Sequence, residues 1–269
     1  MGQQAGSGSF DAIAPVPTGL AALDAALGGG LLPGLTVLAS ATGEGKTSLA
    51  LQLCLAAARH AANTGAGPVI FLSLDMSVDE VWTRLAIESG QLRGLELIRV
   101  GSGEKTEALS AAIGELTSLP LEVGVTPYTG TYSVESLIST SPRRPSLVVV
   151  DPLSLLDRTA GQQGGSADGA NVRALAAIAR EREVPILVVA QARRGRGESA
   201  AQLPNEIANV ANLIFLLTRP TPDDSDKQHA ADEAGSSATL FVAKNRFGPT
   251  IAVELTWQGR AMTFAPAEV

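Results

Sequence analysis

The sequence predicts an α/β fold: a mostly parallel twisted sheet with helices on both faces and a β-hairpin near the C-terminus. Three observations carry that expectation. Short apolar runs alternate with amphipathic stretches along most of the chain, which is how strands joined by crossover helices read. A glycine-rich loop, SATGEGKT, stands between one such run and a helix-forming stretch. Near the end, two further strand-like runs flank RFGP, a turn signal.

Taken in order, residues 1–14 are small and polar apart from Phe10 and Ile13, with no periodicity, so a flexible lead-in is expected there and the folded domain over 15–269. LTVLA is the first strand, and the helix after the glycine loop is expected over 47–62. PVIFLSL is the second strand. A helix over 77–90 follows, because Ser77 and Glu80 stand at the spacing of a capping box. PLEVGV and SLVVV are further strands, and a helix over 168–183 opens near Asp168. PILVVA and NLIFLL complete the parallel set. The acidic stretch PTPDDSDKQHAADEAGSS reads as a solvated loop, and TLFVAKN and TIAVELTW form the hairpin that closes the sheet.

Composition narrows the function classes. With 269 residues and 45% hydrophobic content, one large α/β domain is expected rather than two. No apolar run approaches a membrane span, and MGQQAGSGSF lacks the basic and apolar regions of a signal peptide, so a cytoplasmic protein without membrane association is expected. Cys54 is the only cysteine, which excludes an internal disulfide and a Cys-based zinc site and leaves helix packing as its role. A net charge of −7 argues against a nonspecific coating of nucleic acid and confines any such contact to a patch.

In an open parallel sheet, ligands bind beyond the carboxyl ends of the strands. LTVLA runs into the loop, PVIFLSL into Asp75, SLVVV into Asp151 and PILVVA into Gln191. The loop residues Ser40, Ala41, Thr42, Gly43, Glu44, Gly45, Lys46, Thr47 and Ser48 suit a triphosphate: Gly43 and Gly45 let backbone N–H groups turn inward, and a helix N-terminus adds its positive end. Lys46 would reach the β- and γ-phosphates, and Thr47 would supply a hydroxyl to Mg²⁺. Ser40 stands where such loops carry a first glycine, at the shoulder of the turn. Asp151 is placed to orient the metal through water. Asp75 is either the base that polarises an attacking water or a helix N-terminal charge beside Ser77, and Gln191 either senses the γ-phosphate or satisfies a strand end.

PTGLAALDAALGGGLLPG, FLSLDMS, TPYTGTYSVESL, VVVDPLSLL, VVAQARR and VAKNRFGPT, in that order from Pro17 to about Trp257, resemble the RecA-like motor domain of the DnaB-family replicative DNA helicases. The resemblance implies a RecA-like P-loop NTPase fold and a Mg-dependent ATPase, with ATP and Mg²⁺ bound by Lys46, Thr47 and Asp151. It implies that Gln191 couples the γ-phosphate to a DNA-touching loop. Lys244 and Arg246 become candidates for a finger acting on the nucleotide of a neighbouring subunit. Arg193, Arg194 and Arg196, in ARRGRGES, become candidates for phosphate contacts to single-stranded DNA, with no aromatic residue interleaved. A second loop, DRTAGQQGGSADGAN, is glycine-rich, a composition flexible enough to line a channel.

Two departures keep other readings open. The family's helicases usually carry glutamate where Asp75 stands, a side chain one methylene longer, so binding is expected to be better preserved than turnover. They also have a collar domain and a linker helix that docks on the next subunit, whereas fourteen residues precede Pro15 here, which leaves a homo-oligomeric ring an open expectation. KNRFG is also a hallmark of the RadA recombination ATPases, and GGGLLPG occurs in them and in KaiC-like ATPases. The alternatives are therefore a regulatory or recombination ATPase without unwinding activity, or a nucleotide-binding interaction module with weak turnover that presents itself to a protein partner.

Overall fold

The computed structural model describes residues 13–90, 103–125, 129–157, 166–192, 203–219 and 235–267. Its first half runs α1 (Ala21–Ala26), β1 (Gly34–Ser40), α2 (Lys46–Thr64), β2 (Val69–Ser73), α3 (Val78–Glu88), α4 (Gly103–Leu116), β3 (Leu121–Val125), β4 (Thr129–Gly130) and α5 (Thr131–Thr140). The second half runs β5 (Leu147–Asp151), β6 (Leu156–Asp157), α6 (Ala167–Glu181), β7 (Pro185–Gln191), α7 (Asn205–Val210), β8 (Leu213–Thr218), β9 (Ser236–Asn245), β10 (Ala252–Gln258) and β11 (Thr263–Pro266). The main sheet has the order β11-β10-β9-β8-β1-β7-β5-β2-β3. From β8 to β3 every pairing is parallel, and from β8 outward to β11 every pairing is antiparallel.

Strand alternation sends successive side chains to opposite faces. Val69 and Phe71 of β2, Leu147 and Val149 of β5, and Leu187 and Val189 of β7 pack with α2, α3 and α4. Their neighbours Ile70 and Leu72, Val148 and Val150, and Ile186 and Val188 pack with α5, α6 and α7. Both faces are covered, which is why these strands are apolar at consecutive positions.

The central helix α2 is built from alanine and leucine, the strongest helix formers. It ends at Gly65, whose φ of 70° gives a left-handed C-cap. Cys54 is fully buried in it, and burial pushes its thiol well above the ordinary value, so packing is its role as expected. The Ser77–Glu80 capping box forms in both directions and starts α3. It ends at Glu88, a buried residue whose carboxyl burial raises well above the usual carboxylate range.

Several elements differ from expectation. The helices expected at 47–62, 77–90 and 168–183 correspond to α2, α3 and α6, whereas α1, α4, α5 and α7 have no bounds read from the sequence. α5 is rich in threonine, serine, valine and isoleucine, which are poor helix formers; Val134 and Ile138, one turn apart, are buried against the second face and decide the matter. Ser236 and Ser237, expected in the acidic loop, belong to β9, while 220–234 lies outside the described residues. The hairpin does not close the sheet, because β11 adds a further antiparallel strand at its edge. Residues 1–12 of the lead-in and most of the glycine-rich stretch after Asp157 also lie outside the described residues.

Candidate functional site

The glycine loop leaves β1 at the carboxyl edge of the sheet and enters α2. Gly43 and Gly45 have φ of 83° and 94°, the left-handed region that side chains avoid. At Gly45 there is a second demand for glycine: a Cβ would meet the Phe264 ring at 2.8 Å. Ser40 has no such demand, since its φ is not positive. It is fully buried, and its hydroxyl donates to the Ala41 carbonyl at 2.8 Å, so the departure from glycine is accommodated within the turn. Glu44 folds back over the loop, and its Oε2 accepts the Ala41 N–H at 3.0 Å.

The other candidates from the strand ends arrive at the same edge. Gln191 is in register with Ser40, and its Nε2 donates to the Thr42 hydroxyl at 2.9 Å. Asp151 is in register with Ser73, and its backbone carbonyl accepts the Leu74 N–H at 2.8 Å, which sets β2 and Asp75 beside it. The Asp151 carboxyl is pushed up to about 6, chiefly by burial and also by the Asp75 charge, against a hydrogen bond from Thr47 and the charges of Lys46 and Arg84. Asp75 itself is exposed, two residues before the Ser77 cap.

This arrangement fits a hard divalent cation. Asp151 is 1% exposed, and its Oδ2 has no hydrogen-bond partner among the described residues. The Thr47 hydroxyl lies against the same carboxylate. Among the described residues no three His, Cys, Asp or Glu side chains gather into a metal cluster. One carboxylate and one hydroxyl, leaving further positions to phosphate oxygens and water, is how magnesium is held.

Lys244 and Arg246 do not join this edge. The end of β9 pairs with Leu213, the first residue of β8, so both cations lie toward the opposite end of the parallel strands. Lys244 Nζ donates to the carbonyls of Ala208 at 2.7 Å and Asn209 at 3.2 Å, and Arg246 Nη2 donates to Asn209 at 2.8 Å. These carbonyls form the negative end of α7, where cations are favoured. Arg193, Arg194 and Arg196 lie outside the described residues.

Three residues of the site were not singled out from the sequence. Arg219 directly follows β8, is 7% exposed, and donates from Nη2 to the Gly43 carbonyl at 2.7 Å. Trp257 lies beneath its guanidinium, and Phe264 packs on both Trp257 and Gly45. A weaker signal for Arg219 existed: it stands one residue beyond the apolar run NLIFLL, after Thr218, whereas Asp151 and Gln191 follow theirs directly. Trp257 and Phe264 had none, because their approach to the loop depends on β11 folding back along β10.

Comparison with known proteins agrees with this geometry. The family model described as DnaB-like helicase C terminal domain matches residues 15–266. The replicative DNA helicase DnaB of Leifsonia xyli subsp. xyli (strain CTCB07) is 30% identical over 267 residues, covering 93% of this chain and 55% of that protein. A solved DnaB-like replicative helicase, described with its interactions with primase, matches with a TM-score of 0.76 at 21% identity, over 94% of this chain and 62% of that one. The RadB recombinase matches with a TM-score of 0.58 at 21% identity, over 94% of this chain and 100% of that one. Likeness at such identity shows the fold alone, and the chain spans about half the length of the curated relative it matches. The family match spans the whole described fold except its first two residues and its last, and with it the chain belongs to the DnaB-like helicase C-terminal domain family, with the RecA-like P-loop ATPase fold of that family.

Proposed function

We propose that the chain is a Mg-dependent ATPase motor that acts on single-stranded DNA in the cytoplasm. The observation that carries the reading is the buried Asp151 oxygen without a hydrogen-bond partner among the described residues, set against Thr47 at the foot of a loop with two left-handed glycines. Magnesium, when bound, would neutralise phosphate charge. Lys46 and the N–H groups of Gly43 to Thr47 would hold the triphosphate, and Thr47 and Asp151 would hold the metal. Asp75 would draw the proton of the attacking water, and its exposure leaves it free to move toward that water. Gln191, bonded to Thr42, would report the state of the loop to the arginines that follow it, Arg193, Arg194 and Arg196, as contacts to single-stranded DNA.

Lys244 and Arg246 would act on the nucleotide of a neighbouring copy in a homo-oligomeric ring, since their place in the fold keeps them from their own loop. The primase interactions described for a structural neighbour make primase the natural protein partner to test. ATP turnover measured together with native mass, with and without single-stranded DNA and at two salt concentrations, tests the reading. Turnover by an assembly, stimulated by DNA and weakened by salt, is expected; an unstimulated monomer that binds ATP without turnover would leave only an interaction module.

A further inference from the structure

Arg219 follows β8 at the sheet edge that carries the glycine loop, and its guanidinium meets an aromatic pair from β10 and β11 as well as the loop itself. Its guanidinium carbon lies 4.9 Å from the centre of the Trp257 ring, which packs on Phe264 at 4.8 Å. Phe264 is fixed to α2 through its backbone: its carbonyl accepts from Gln52 Nε2 at 2.8 Å and its N–H donates to Gln52 Oε1 at 2.9 Å. Thus β10 and β11 help to place the cation. A buried guanidinium has given up most of its water, so the indole face and the Gly43 carbonyl count among the contacts that hold it.

That one hydrogen bond constrains more than a carbonyl. In a planar trans peptide the C=O and the following N–H point to opposite sides. Drawing the Gly43 carbonyl toward Trp257 therefore turns the Glu44 N–H to the other side of the loop. Glycine at φ 83° would otherwise let this peptide swing over a wide range. The Glu44 side chain, bonded to the Ala41 N–H, steadies the same peptide from its far side.

We infer that Arg219 is a positioning residue that locks the Gly43–Glu44 peptide with its N–H toward the phosphate seat, and that Trp257 holds Arg219 in place for this task. The inference rests on the triphosphate reading above and deepens it.

Its test uses the whole chain. Magnesium ATP and magnesium with inorganic tripolyphosphate are titrated calorimetrically into wild type, into Arg219→Met, which fills the volume without a donor, and into Arg219→Lys, which restores a charged donor without the plane. Both ligands are expected to bind Arg219→Met roughly tenfold more weakly, about 1.4 kcal/mol, with part of the loss recovered in Arg219→Lys. In the ligand-free protein, the amides of residues 43–47 should exchange faster in Arg219→Met. A loss for ATP with none for tripolyphosphate overturns the inference, because Arg219 would then serve the base or ribose; equal affinities in wild type and variant overturn it as well. If wild type binds neither ligand, the triphosphate reading falls, and loop exchange alone decides: unchanged exchange in Arg219→Met overturns the locking, and acceleration confined to the loop upholds it. Should Arg219→Met not fold, Trp257→Phe, which keeps an aromatic face with a weaker hold on the cation, takes its place in the same comparison.

Discussion

The two ends of the parallel strands hold their polar residues in different ways. At the carboxyl end, Gln191 bonds Thr42, Glu44 bonds Ala41 and Arg219 bonds Gly43, so the strand-end residues brace a loop that is shaped before any ligand arrives. At the other end, Lys244 and Arg246 are cations whose donors go to the carbonyls of α7. Burial and the neighbouring Arg246 charge hold the Lys244 ammonium below its usual range. One end is a braced loop, and the other is a pair of cations held on the end of a short helix. The difference teaches that the loop and the Lys244–Arg246 pair are held at opposite ends of the parallel strands, and on the proposed reading they meet only between neighbouring copies.

Breaking the cation half should have the largest effect. Arg246→Ala is expected to lower ATP turnover on the order of 10³-fold, as loss of an arginine finger does, while ATP affinity measured on the dilute chain stays unchanged. Equal turnover in wild type and variant would remove Arg246 from the chemistry. On the seat side, Lys46→Ala is expected to cost on the order of 100-fold in turnover or more and to weaken ATP binding too, read by phosphate release and calorimetry. The contrast between the two variants, affinity kept in one and lost in the other, sharpens the separation of the ends.

Asp151 gives a pH signature belonging to the seat alone. Its carboxyl titrates at about 6 in the fold against an ordinary 3.8, so the folded chain binds more protons between those values. Stability contributed by the protonated form is therefore lost as pH rises from about 4 through about 6, a cost of roughly 3 kcal/mol above that window. Asp151→Asn should raise the melting temperature of the magnesium-free protein at pH 8 and leave it unchanged near pH 3.5, as thermal melts across this range would show. With magnesium nucleotide the sign reverses for binding, which should tighten through the same window as the ionised carboxylate forms. The smallest effect is expected at the loop's shoulder: Ser40→Gly loses a buried hydroxyl contact and adds backbone freedom, about 0.5–1 kcal/mol of stability, with little change in ATP affinity.

Much of the seat was legible because parallel sheets place chemistry at strand ends, and apolar runs followed by Asp75, Asp151 or Gln191 can be seen in one dimension. The same rule applied to the run ending at Leu217 reaches Thr218 and stops one residue short of Arg219. What escaped depends on the third dimension. Trp257 and Phe264 meet Gly45 only because a four-residue strand, β11, returns along β10, and a strand that short has too little alternation to be read. α5 escaped because its β-branched residues argue against a helix that tertiary burial of Val134 and Ile138 nevertheless favours. The place of Lys244 and Arg246, away from their own loop, follows from the antiparallel pairing of β9 with β8, which the hairpin motif alone does not specify.

The central claim is that one copy's loop is completed by the cations of the next, and mixing two inactive variants addresses it most directly. Lys46→Ala retains the cation pair and Arg246→Ala retains the seat. In an equimolar mixture, head-to-tail contact should pair an intact seat with an intact cation at about a quarter of interfaces, restoring turnover to a comparable fraction of wild type. A mixture as inactive as its components, under conditions where native mass shows the two variants assembled together, would contradict the account.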